Sequence, residues 1–133
     1  MVNVGRMRVA GIVAVVLLAV VEVFQIVLAL GAPLGKASWG GKHEGVLPTG
    51  LRIASGVAAV VVYPLIILFV LAAAGLVETR LPEGTRILGM WVLTALFTLG
   101  ALSNFVSRSK IERFWGPVSL SVAFCCGLIA RGI

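Results

Sequence analysis

Apolar residues in this chain do not alternate with polar ones. They run on in four long blocks, residues 9–30, 53–77, 87–106 and 114–130. A helix needs about 20 apolar residues to cross a hydrocarbon core of roughly 30 Å. The first three blocks meet that length. The fourth is shorter, but it is framed by Trp115 and Arg131, side chains suited to the membrane–water boundary. Within lipid only helices and closed barrels satisfy their own backbone groups, and the absence of two-residue alternation selects helices. Connections of about twenty, nine and seven residues join the blocks, so successive helices run antiparallel. The pattern predicts an all-α membrane protein in which residues 1–133 form a single domain, a four-transmembrane-helix antiparallel bundle with a Gly-rich first loop at 31–52.

The few polar positions inside the blocks are informative because each is expensive in hydrocarbon. Glu22 lies well inside the first block, with Gln25 three residues on. Intramembrane ionisable groups commonly face the bundle interior and mark a site, although a carboxyl can also serve as hydrogen-bonded glue between helices. Tyr63-Pro64 falls in the second block, where a proline removes a backbone hydrogen bond and kinks the helix. Thr94 and Thr98, Ser103 and Asn104, and Ser119 and Ser121 mark the third and fourth blocks. Singly, such hydroxyls often bond their own helix backbone. Placed by depth, however, Glu22, Gln25, Ser103, Asn104, Ser119 and Ser121 all fall in the half nearer the 31–52 loop. The opposite half is nearly all aliphatic, with Cys125 and Cys126 expected to pack as small hydrophobes. This one-sidedness predicts a polar cavity that opens towards the loop and is closed below.

The loop itself is the chain's most polar stretch. Trp39-Gly40-Gly41-Lys42-His43-Glu44-Gly45 sets an aromatic, the only histidine and a carboxylate among glycines, as a lid over that cavity would require. On the same face Arg108, Lys110 and Arg113 make a basic rim suited to headgroup phosphates. Leu47-Pro48-Thr49-Gly50-Leu51-Arg52-Ile53 and Leu81-Pro82-Glu83-Gly84-Thr85-Arg86-Ile87 share L-P-x-G-x-R-I. Each opens a helix, with Pro expected in the first turn and Arg snorkelling to the headgroups. The candidate ligand-binding set is Glu22, Gln25, Trp39, His43, Glu44, Arg52, Tyr63, Asn104 and Arg108.

Composition agrees with the pattern. The chain is 60% hydrophobic and 12% charged, against about half and a quarter for soluble domains. Its net charge of +6 is spread in small clusters at block ends, without the basic stripe of a nucleic-acid binder. Arg6 and Arg8 resemble the start of a signal peptide, but the block after them is too long and contains Glu22, so a retained helix is expected. Arg6, Arg8, Arg80, Arg86 and Arg131 fall on one side, and Lys36, Lys42, Arg52, Arg108, Lys110 and Arg113 on the other. The Lys/Arg bias that orients a multi-pass protein is therefore weak, and dual topology stays open. The dominant influence of a first helix favours both termini in the cytoplasm, in the cell membrane.

Several chemistries lack their residues. Aspartate is absent, no H-E-x-x-H or other metal spacing occurs, and the adjacent cysteines form no C-x-x-C. No metal and no cofactor is expected, and an enzyme is the less favoured reading. The expected partners are membrane lipids, a hydrophobic small molecule, and a second copy or a partner membrane protein.

The motifs G-A-P-x-G-x-x-x-W-G-G-x-H (31–43), L-P-x-x-L-R-I-x-S (47–55), S-N-x-x-S-R-S-x-x-E-R (103–113) and W-x-P-V (115–118) together resemble an uncharacterised family of small four-helix bacterial integral membrane proteins. That resemblance implies the fold and no chemistry. Glu22, in A-V-V-E-V, is also similar in setting to the first-helix glutamate of small multidrug-resistance transporters. The long Gly-rich first connection and the missing aromatic motifs of their second and third helices depart from that pattern. Three functions follow as expectations. The first is binding of a lipid-like or hydrophobic ligand, or of a partner subunit, under the loop. The second is proton-coupled transport through Glu22, as a dimer. The third is intramembrane catalysis by His43 and Glu44.

Overall fold

The computed structural model describes residues 3–133, and among these no strand occurs. Helix α1 spans Val4–Ala29. A second long helix is continuous from α2 (Thr49–Val57) through a π-helical turn (Ala58–Val62) into α3 (Tyr63–Ala73). Then come α4 (Glu83–Phe105), a single turn α5 (Lys110–Arg113), and α6 (Trp115–Gly132). By length and composition, α1, α2–α3, α4 and α5–α6 can each cross a membrane.

The helices overrun or fall short of the apolar blocks for identifiable reasons. Hydrophobicity marks only the stretch that suits hydrocarbon, whereas backbone hydrogen bonding carries on through polar turns. The second and third helices thus begin at Thr49 and Glu83. Their prolines, expected inside the first turn, stand one position earlier. Pro48 and Pro82 are the N-cap residues, with ψ of 152° and 148°. Asn3 starts α1 by accepting a hydrogen bond from the Arg6 backbone N–H at 2.9 Å. At the far end of α3, Gly75 adopts a left-handed φ of 75° and stops the helix before the apolar block is exhausted.

Pro64 does not produce a sharp break. It has no N–H, and its ring would crowd the carbonyl four residues back, at Val60. The ladder widens there instead, and the Tyr63 N–H bonds to the Ala58 carbonyl, an i→i−5 link. The turn also rotates Tyr63 relative to α2.

Helix α6 packs along α4 and α1, and α1 also lies against α2–α3. The solid core is built from Met7, Ala10, Ala14 and Leu18 of α1, Val70 and Ala73 of α3, Met90 and Leu93 of α4, and Val122, Cys126 and Ile129 of α6. Most of these lie in the half away from the 30–48 connection, with Leu18, Leu93 and Val122 near mid-depth. Ala10, Ala14, Ala73 and Cys126 let the helices approach, and Gly11 faces Ala74 so closely that an added Cβ would stand 2.5 Å from the Ala74 Cβ. Close packing of this kind is what holds helices together in lipid, where burying apolar surface adds little. Outward faces carry Val60, Leu65, Leu88, Leu99 and Phe124, all exposed. The hydroxyls of Thr94, Thr98 and Ser121 bond the carbonyls of Met90, Thr94 and Pro117, one turn back in their own helices.

Candidate functional site

A cavity lies in the half nearer the 30–48 connection. It measures about 570 Å³ and is walled by Val21, Phe24 and Gln25 of α1, Tyr63 and Ile66 of α3, Leu93 to Asn104 of α4, Glu112 of α5, Trp115 and Ser119 of α6, and Ala37 to Gly40 of the connection. That volume lies within the range of small-molecule sites, roughly 300–1,000 Å³. Its polarity is graded. Ile66, Leu93, Leu96 and Phe97 form the end towards mid-membrane. Gln25, Ser103, Asn104, Glu112, Ser119 and Ser38 lie towards the connection.

The connection folds over this opening as a fixed cover. Two 3₁₀ turns, Gly35–Ala37 and Trp39–Gly41, make it compact. The Gly35 N–H donates to the Gly45 carbonyl at 2.8 Å, closing the loop on itself. Two side chains tie it to the bundle. The indole Nε1–H of Trp39 donates to Ser55 Oγ of α2 at 3.0 Å, and the Ser109 hydroxyl donates to the Lys36 carbonyl at 2.5 Å. Trp39 holds a left-handed φ of 48°, strained for a residue with a side chain, and Gly40 and Gly41 follow at 86° and 69°. The two glycines carry the reversal that lays the Trp39 ring on the cavity mouth. Trp39→Phe keeps the ring but loses the donor to Ser55. It is expected to loosen the cover by about 1 kcal/mol, read as faster amide hydrogen exchange over residues 35–45.

Four of the nine residues singled out in the sequence line this space: Gln25, Trp39, Tyr63 and Asn104. The other five do not. Glu22 is half-buried on a neighbouring face of α1. Glu44 is exposed and pairs with Lys36 at 3.2 Å. His43 lies in the connection, where its backbone carbonyl packs against Gly35, 2.5 Å from where an added Cβ would stand. Arg52 Nε donates to the Ala29 carbonyl at 3.2 Å, capping the C-terminus of α1. Arg108 is exposed. Trp115, expected as a boundary anchor, lines the cavity and packs against Phe24 with ring centroids 4.7 Å apart.

The residue that sequence reasoning left in the basic rim is Glu112. It is only 5% exposed and borders the cavity, and its Oε2 is buried without a partner. Ser109-x-x-Glu112 has the form of a capping box, in which the glutamate would reach back to the serine N–H. Half of the box is made. Ser109 Oγ accepts from the Glu112 N–H at 3.3 Å, but the Ser109 N–H is taken by Ser107 Oγ at 3.2 Å. The box therefore does not hold the carboxylate, and its Oε2 stays unpartnered in a residue that borders the cavity. Gln25 Oε1 is likewise buried without a partner. Among the described residues no group of three or more His, Cys, Asp and Glu side chains converges as a metal site would require. Compared with known proteins, the chain matches no family model, no curated protein and no solved structure.

Proposed function

We propose that this protein binds an amphiphile in the cavity beneath its cover, with the polar group at the cover and the hydrocarbon reaching towards mid-membrane. The observation that carries the reading is the polarity gradient inside one space of about 570 Å³. A wholly apolar occupant would leave Gln25, Asn104 and Glu112 unpaired, at a penalty of about 1–3 kcal/mol for each. A wholly polar one would leave Leu93, Leu96 and Phe97 against water. Only an amphiphile satisfies both ends. A membrane lipid, a hydrophobic small molecule or an inserted segment of a partner subunit shares this chemistry. With Arg6 and Arg8 held in the cytoplasm ahead of α1, both termini lie inside the cell membrane's inner face and the cover faces outwards. Glu22, His43 and Glu44 are off the cavity wall, so the cavity adds nothing to a transport or catalytic reading based on them.

Gly100 provides the test. It lines the cavity from α4, and an added Cβ would meet nothing closer than Ser119 Oγ at 3.7 Å. Gly100→Leu is expected to fill the space without disturbing the helices and to weaken binding of a ten-carbon amphiphile, followed by tryptophan fluorescence in maltoside micelles, by about tenfold or more. Unchanged saturable binding in this variant would place the site elsewhere.

A further inference from the structure

Resting on the amphiphile reading, we infer that the polar group the cavity takes is a cation, an alkylammonium held by Glu112 within an aromatic enclosure. Glu112 is the one charged residue on the cavity wall, and it is 5% exposed with an unpartnered Oε2. An isolated buried carboxylate is strongly unfavourable unless a cation or several donors face it. The cations of the same membrane face do not fill that role. Lys36 is paired with Glu44 at 3.2 Å, Arg52 caps Ala29 at 3.2 Å, and Arg113 Nε donates to the Ser107 carbonyl at 2.7 Å. Among the described residues Glu112 joins no ion pair.

The remaining walls agree in chemistry. Phe24, Trp39, Tyr63, Phe97 and Trp115 border the same space, and aromatic faces attract cations, most strongly where water is excluded. Gln25, another wall residue, also has a buried unpartnered acceptor, its Oε1. Both unmet atoms therefore call for a donor or a positive charge, and neither suits a phosphate or carboxylate. The exposed rim of Arg108, Lys110 and Arg113 lies outside the cavity, where it can meet headgroup phosphates while the ammonium lies within.

The experiment compares decyltrimethylammonium, decanol and decyl sulfate on the full-length protein in maltoside micelles, reading Trp fluorescence and thermal unfolding. Wild type is expected to bind the ammonium about tenfold or more tightly than decanol, and decyl sulfate weakest. Glu112→Gln is expected to retain decanol binding and lose most of the preference for the ammonium. Trp115→Leu, which keeps an apolar side chain but removes the aromatic face, is expected to reduce the same preference in part and serves if Glu112→Gln does not fold. Equal binding of ammonium and decanol, or preference for the sulfate, would overturn the cation inference and leave the amphiphile reading standing. Binding of none of the three would overturn both. Short-chain phosphatidylethanolamine then identifies the source. Displacement of the bound ammonium by it, but not by phosphatidylglycerol, supports a lipid headgroup, and displacement by neither supports a free amine.

Discussion

Gly41→Val is expected to lift the cover from the bundle, raising the amide exchange rates of residues 35–45 by about two orders of magnitude while helical content stays constant. Two effects add. Gly41 has φ of 69°, a conformation that costs a residue bearing a Cβ roughly 1–2 kcal/mol, and a β-branched one more. A Cβ there would also collide with the Ser109 side chain. That side chain anchors the cover, because its hydroxyl donates to the Lys36 carbonyl at 2.5 Å, and losing this bond removes about another 1 kcal/mol. The sum, about 3 kcal/mol, corresponds to the exchange effect given. Gly40→Ala separates the two effects. Gly40 shares the left-handed backbone at 86°, but an added Cβ meets nothing within 4 Å, so only the backbone term applies. Equal exchange in the two variants would show that the cover is not seated on Ser109. Since Ser109 Oγ also accepts from the Glu112 N–H, Gly41→Val should disturb ligand binding as well, and Gly40→Ala much less.

The four helices were legible because their signal is a length of apolar sequence, and hydrocarbon thickness sets that length directly. Their ends were less so. Thr49 and Glu83 begin helices outside the apolar blocks, where only backbone hydrogen bonding marks the boundary. The side of the membrane that holds the cavity was also legible, since depth follows from counting along each helix. Helical phase was not. When every face of a helix is apolar, no periodicity says which one points inwards. Glu22 stands out in the sequence because it interrupts such a run, yet Val21, Phe24 and Gln25 form the cavity face of α1. At 100° per residue Glu22 lies about 60° round from Gln25. The offset is small, and it separates a wall residue from its neighbour.

Glu112 was obscured for the opposite reason. It sits among Arg108, Lys110 and Arg113, in a segment whose composition reads as a solvated rim. What turns it inwards is the single turn α5 and the competition between Ser107 and Glu112 for the Ser109 N–H, neither of which composition records. The capping-box spacing was the available signal, and it marks a helix start without saying where the glutamate goes once the box is half made. Trp39 was legible as a cover residue, but its indole bond to Ser55 joins segments whose relative placement depends on the whole bundle.

A matched pair of substitutions contrasts a closely packed helix contact with the open wall of the cavity under the cover. Gly11 and Gly100 are both helical glycines, and leucine at either position adds the same volume and the same gain in helix propensity, about 1 kcal/mol. At Gly11 the space is taken. An added Cβ would stand 2.5 Å from the Ala74 Cβ and 3.1 Å from Leu76 Cδ1, and Ala74 is itself buried. Overpacking of this kind costs about 1–3 kcal/mol for each modest insertion, and a whole leucine side chain must also push α1 away from the end of α3. At Gly100 the nearest atom is 3.7 Å away and the cavity lies beyond it. Gly11→Leu is therefore expected to destabilise the bundle by about 2 kcal/mol after the propensity gain is subtracted. Gly100→Leu is expected to be neutral or stabilising by up to about 1 kcal/mol, both measured as thermal unfolding in maltoside micelles. Opposite signs would establish that the protein keeps an open space under its cover and close packing where α1 meets the end of α3. Equal losses would mean that the loop-side half is as tightly filled as the other, and a binding cavity there would have to be abandoned.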